Sequence, residues 1–396
     1  MTKKYLLLWL LFGCFWRVYA QPSPEKGKWS IEGDVFFGNI LKPDDLVREI
    51  LRRGLVHTYD LKVGYTDLQP STYTSGYNYP RLGLGVSMLD CSDVKMWKEP
   101  SLGDIYALYL FFDRTLYRSK RFQFGYTLSS GPAYNTDTYD QEKAPTKIFS
   151  SSPVMIYIGY GMSLKYRLSD RLAIGANAEV KHYSNGRTGI MNKGINMAGG
   201  SLSMQYSFSP AESEYPPFVA SPFKRYFYYH LMAGGGVQTY LEDLEVYWRT
   251  GPSESGLFKE KLYSKYFVSA DAMYRFSSFY GCGMGVDLFY IPHTTSFRKM
   301  DEIFLGEDAA GLKYNSWSIG TAFNQELYYN QFSLTASLGY YLYRELGARK
   351  DESPLYQRFG LRYYLPKVNN LFAGFAIKAH EFSKAEYFEF SVGKKF

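Results

Sequence analysis

His182 and Ser184 are the two side chains in this 396-residue chain best suited to chemistry. An imidazole can take a proton at neutral pH, and a hydroxyl beside it can then attack a carbonyl carbon. The element that carries them fixes where that chemistry points. From Leu172 the residues alternate: Leu172, Ile174, Ala176, Ala178 and Val180 fall on one row, and Asn177, Glu179 and Lys181 on the other. Strand side chains alternate with period two, so His182 and Ser184 continue the apolar row. In a membrane β-barrel that row faces lipid and the polar row faces the lumen. A histidine and a serine on a lipid-facing row point to hydrolysis of a lipid ester. Glu179 is the acid nearest in sequence, but its parity sends it into the lumen, where Lys181 is its expected partner.

The rest of the chain supplies a barrel to hold this strand. Residues 1–20 read as a secretory signal: Lys3 and Lys4, an apolar core from Tyr5 to Trp16, and Val18-Tyr19-Ala20 before the cleavage point. No later stretch is long and apolar enough for a membrane helix. Aromatic residues make up 19% of the chain, 39 of them tyrosine, which suits the aromatic girdles of an outer-membrane barrel. A secreted soluble sandwich is the bland alternative. The final stretch alternates and ends on Phe396, which resembles the assembly signal of outer-membrane proteins. About sixteen alternating segments follow one another between residues 28 and 396, so the fold class is all-β and antiparallel. Short turns such as Ser169-Asp170 and Asn330-Gln331 alternate with long connections such as 135–153 and 291–313. That asymmetry puts His182 and Ser184 near the outer end of the seventh strand. The segment from Asp44 to Arg53 has the character of a short helix, and residues 67–80 are long for a periplasmic turn.

The two halves resemble each other, as an old duplication would leave them. Val180-Lys181-His182-Tyr183-Ser184 ends strand seven, and Ile377-Lys378-Ala379-His380-Glu381 ends strand fifteen. Aligning Val180 with Ile377 sets Ala379 against His182 and Glu381 against Ser184, and turns His380 into the lumen. The second half therefore lacks the pair. Residues 209–224 contain Pro210, Pro216, Pro217 and Pro222, a long and stiff connection for a periplasmic turn. It favours two tandem eight-stranded barrels, residues 21–208 and 225–396, over a single barrel of sixteen strands.

Around the strand end, His182-Tyr183-Ser184-Asn185 is followed by Asn192-x-Gly194 and then by Asn196. These residues resemble the lipid A 3-O-deacylase family of the PagL type over about residues 28–208. The resemblance implies an eight-stranded outer-membrane barrel with a Ser-His-Glu triad facing the bilayer. It makes Ser184 the nucleophile and His182 the base. Asn185 and the Gly186 amide are implied oxyanion donors, with Asn192 and Gly194 in support. The family has Glu where this chain has Asn196, whose parity on strand eight also sends it outward. An amide can orient an imidazole but brings no full charge to the imidazolium. The resemblance implies lipid A, within lipopolysaccharide, as the partner, the outer membrane of a Gram-negative cell as the location, and loss of the 3-O-linked acyl chain as the reaction.

No P-loop, dinucleotide fingerprint or zinc-ligand spacing is present, and the proposed chemistry calls for no cofactor or metal. The formal charge of +7 falls to +4 once Lys3, Lys4 and Arg17 leave with the signal, too little to suggest a nucleic-acid partner. Two cysteines would remain, Cys91 and Cys282, with no implied pairing. A homodimer is left open. The competing class is a non-catalytic barrel: a porin, a lipid-binding scaffold or an adhesin.

Overall fold

The computed structural model describes residues 26–98, 101–210, 215–219, 222–251, 258–348, 353–382 and 384–396. The secretory signal expected at residues 1–20 lies outside them, as does part of the 209–224 connection. Two closed antiparallel barrels of eight strands each account for most of the chain. The first runs β1 (Gly27–Ile40), β2 (Leu55–Asp67), β3 (Arg81–Asp90), β4 (Ile105–Arg118), β5 (Phe122–Asn135), β6 (Val154–Arg167), β7 (Leu172–Ser184) and β8 (Ile195–Ser207). The second runs β9 (Tyr226–Gln238), β10 (Tyr263–Arg275), β11 (Tyr280–Tyr290), β12 (Trp317–Tyr329), β13 (Phe332–Tyr343), β14 (Leu355–Leu365), β15 (Leu371–His380) and β16 (Lys384–Lys395). Each barrel closes by pairing its first strand with its last, β1 with β8 and β9 with β16.

Alternation explains the closure. On β1, Lys28, Ser30, Glu32 and Asp34 are buried inside, while Trp29 and Phe37 are more than half exposed on the outer wall. Eight strands leave an interior that side chains can fill, and here they fill it with charge. Glu32 pairs with Lys62 at 3.3 Å, Arg81 at 2.8 Å and Lys165 at 2.6 Å. Lys181 bridges Asp60 at 2.9 Å and Glu179 at 3.2 Å, which is the lumenal partnership expected for Glu179. Asp34 accepts hydrogen bonds from Asn177 and Ser201. Buried charges are tolerated only when paired in this way. The second barrel repeats the pattern, with Arg358 between Asp287 and Glu389 and Arg362 on Glu326. Such packed lumens lack the wide bore that a porin needs.

The short helix expected near residues 44–53 is α1 (Asp45–Ile50), its N-terminus capped by the Asp44 carboxylate accepting from the Val47 N–H at 2.9 Å. The long stretch after β2 contains α2 (Thr72–Gly76), capped by Ser71. Its role is visible only in three dimensions, because its partners are on the other barrel. Tyr73 and Tyr77 meet Phe279 edge-on, with ring centroids 5.8 and 5.3 Å apart, and Tyr77 also meets Tyr329 at 5.6 Å. The Tyr77 hydroxyl donates to the Tyr328 carbonyl at 3.0 Å. This clamp joins the barrels at the end where β1 begins and β16 finishes. Each aromatic pair is worth roughly 0.5–1.5 kcal/mol. Tyr77→Ala is therefore expected to loosen the pair of barrels by about 1–2 kcal/mol. Distances between spin labels placed on the two barrels should broaden in the variant; an unchanged distribution would contradict the clamp.

Among the described residues, Cys91 and Cys282 are free thiols. Burial pushes the Cys91 thiol well above its ordinary range, so it is an unreactive packing residue.

Candidate active site

Strand β7 sets the geometry. Asn177 and Lys181 reach lumenal partners, whereas Ile174 and Val180 are 41% and 49% exposed on the outer wall. Period two then carries His182 and Ser184 to the outer side. Strand β8 supplies the third group directly: Asn196 is the cross-strand partner of His182. Directly opposed residues have Cβ atoms about 4.5–5.5 Å apart, close enough for their side chains to meet. Nδ1 of His182 lies 2.7 Å from Oδ1 of Asn196. With the amide oxygen toward the ring, Nδ1–H donates and Nε2 keeps its lone pair, the tautomer of a general base.

Ser184 differs in one respect from a residue on an open lipid-facing wall: it is only 4% exposed. The connection 136–153 is bonded to the residues that follow Ser184, Ser150 accepting from Asn185 at 3.1 Å. The Gly194 N–H donates to the Phe149 carbonyl at 3.0 Å and the Lys193 N–H to the Ile148 carbonyl at 3.2 Å, so this connection is sewn to the segment that follows Ser184. Lys193 reaches further, pairing with Asp44 at 2.8 Å before α1. Its ammonium, with the Val47 N–H, holds the Asp44 carboxyl below the usual range. The pair is therefore set in a recess at the rim.

Gly194 completes that recess. Its φ is +66°, in the left-handed region where only glycine is at ease. A Cβ there would stand 3.2 Å from Cε1 of His182 and 3.5 Å from Cβ of Ser184. The same empty point thus touches both members of the pair. Among the described residues no hydrogen bond yet joins Ser184 to His182. Residues i and i+2 on a strand are roughly 6.7 Å apart along the backbone, so contact needs the serine to rotate toward the ring. Catalytic hydrogen bonds are often long before substrate arrives.

Asn185 departs from the role expected of it. Its Nδ2 donates to Ser150 at 3.1 Å and to the Met191 carbonyl at 3.0 Å, and its Oδ1 accepts from the Arg187 N–H at 3.0 Å. Both amide hydrogens are committed to the loop, so the side chain anchors residues 185–191 and has no hydrogen left for an oxyanion. Oδ1 of Asn192 accepts the Asn185 N–H at 3.0 Å, one residue beyond Ser184, so its Nδ2 is the end of that amide left without a bond among the described residues. Gly186, at φ +57°, has a backbone N–H without an intramolecular partner among the described residues.

In the second barrel the corresponding cross-strand pair is Ala379 with Ala385. His380 turns inward, its Nε2 2.9 Å from Glu386, and Glu381 lies past the strand end with φ +52°. This is the arrangement expected from the alignment of the two halves: the second barrel has no imidazole–hydroxyl pair on its outer wall at this place.

Residues 59–205 match the model of the lipid A 3-O-deacylase (PagL) family. Residues 227–396 match that of the acyloxyacyl hydrolase C-terminal domain, PagL_C. The chain belongs to the PagL family. Each family model therefore falls on one of the two barrels of this PagL-family protein. No curated protein matches it. Among solved structures, it is similar to Neisserial surface protein A, at 15% identity and a TM-score of 0.29, over 46% of this chain and 100% of that one. It is also similar to the N-terminal β-barrel domain of Pseudomonas aeruginosa OprF, at 17% identity and a TM-score of 0.26, over 46% and 99%. An outer membrane channel from Pseudomonas putida F1 is similar over 96% and 99% of the two chains, at 8% identity and a TM-score of 0.22.

Proposed function

We propose that this protein is an outer-membrane esterase of a Gram-negative cell that removes an ester-linked acyl chain, the 3-O-linked one, from lipid A. The observation that carries the reading is the outward cross-strand bond between His182 and Asn196, on the same side and at the same rim as Ser184. Family membership supplies the substrate class.

The chemistry follows from the groups in place. Ser184 Oγ attacks the ester carbonyl carbon while Nε2 of His182 takes its proton. The carbonyl oxygen becomes an oxyanion, for which the Asn192 amide and the Gly186 N–H are the available donors. Such a donor is worth about 3–4 kcal/mol. The ester C–O bond then breaks, and the leaving sugar oxygen takes the proton from Nε2. Water, deprotonated by the same nitrogen, releases the fatty acid and restores Ser184. Asn196 holds the imidazole in its working tautomer throughout. Depth matters as well. A charge on the lipid face costs about 2–4 kcal/mol at the bilayer midplane and little near the interface. The transient imidazolium is therefore supportable at the rim, where ester-linked chains leave the lipid A headgroup. Export by the signal at residues 1–20 completes the reading.

The test is release of 3-hydroxy fatty acid from purified lipid A by the refolded full chain. Stoichiometric release supports the esterase; none, from protein with intact barrel structure, contradicts it. Asn196→Glu adds a carboxylate opposite the imidazolium and is expected to hold the rate or raise it by up to about tenfold. A large fall would mean that this position does not orient His182.

A further inference from the structure

We infer that the second barrel forms one wall of the acyl-chain site, with Phe388 as the residue that seats the scissile chain. The inference rests on the esterase reading and assigns a role to a barrel that carries no pair of its own. The site loop is fastened to that barrel at three points. The Arg187 carbonyl accepts from the Thr239 N–H at 2.7 Å and from its hydroxyl at 3.1 Å. The Ile190 N–H donates to Glu260 at 3.1 Å. Gly186, two residues from Ser184, lies so close to the Phe388 ring that a Cβ there would overlap it.

Phe388 does not stand alone. Its ring stacks on Phe375, with centroids 5.5 Å apart and planes 30° apart, and Phe375 meets Phe390 at 5.1 Å. Phe390 and Val392 are 65% and 68% exposed on the outer wall. Phe388, Phe390 and Val392 share one row of β16, which runs roughly 14 Å down the wall from the site loop. An acyl chain whose ester sits at Ser184 must descend from the rim into the hydrocarbon layer, the direction this row takes. The row starts against the loop that directly follows the nucleophile, so its occupant is the chain being cleaved.

The experiment uses the full chain and synthetic lipid A carrying 3-O-acyl chains of graded length. Phe388→Ala is expected to raise KM about tenfold, with kcat within about twofold, and to flatten the chain-length preference. Phe388→Leu keeps most of the apolar contact and is expected to stay near wild type. Leu334→Ala, an exposed change elsewhere on the second barrel, is expected to alter neither constant. Ser184→Ala protein incubated with a lipid A bearing a photoreactive acyl terminus should be labelled on residues 372–396. That measurement also decides the matter if Phe388→Ala fails to fold. A wild-type enzyme that releases no fatty acid would overturn the esterase reading itself. An active wild type with an unaltered Phe388→Ala variant, or labelling confined to the first barrel, would overturn the inference alone.

Discussion

Replacing Ser184 by alanine is expected to lower fatty-acid release from lipid A at least about a thousandfold, with both barrels intact. Without the hydroxyl, no acyl-enzyme can form, and the donors left at the rim can only polarise the ester for attack by water. His182→Gln is expected to cost nearly as much, because it removes the only base on that row while keeping a polar side chain of similar reach. The double variant should be no slower than either single one, since the two residues act as one unit. Steady-state rates on purified lipid A, with folding checked by heat-dependent gel mobility, measure all three. Additive losses would mean that the residues act separately.

Gly194→Ala should produce the next largest effect, about a hundredfold in kcat. The substitution adds one methyl group, yet that group falls at the point shared by the imidazole and the serine. The left-handed backbone costs a non-glycine residue roughly 1–2 kcal/mol, so the chain has reason to shift there. A displacement of about 1 Å at a reacting pair can cost a factor of a hundred. The KM should move little, because Gly194 lies beneath the pair and touches none of the acyl wall proposed on the second barrel. A variant with wild-type kcat would show that the site does not need this vacancy in the backbone.

Much of this arrangement was legible from alternation. The rows of β7 and β8 put His182, Ser184 and Asn196 on one side without any coordinates, because a strand cannot do otherwise. The inward turn of His380 and the pairing of Glu179 with Lys181 follow from the same period. Eight-plus-eight closure was legible in the proline-rich connection, although a single large barrel could not be set aside on sequence grounds.

What stayed hidden depends on contacts distant in sequence. The commitment of Asn185 requires Ser150, thirty-five residues earlier. The bonds that hold residues 185–194 come from the connection between β5 and β6, whose sequence carries no periodicity to read. The purpose of α2 depends on Phe279 and Tyr329, more than two hundred residues away. Asn192 was already a supporting residue on sequence grounds, but only the bond its Oδ1 takes from the Asn185 N–H shows which end of its amide is spare.

Mass spectrometry of lipid A from cells expressing the full chain tests the outward-facing ester hydrolase most directly. Wild-type protein should remove one 3-hydroxyacyl group from a large share of the lipid A, and the Ser184→Ala protein, inserted to the same level, should remove none. Identical spectra from the two, with both barrels assembled in the membrane, would contradict it.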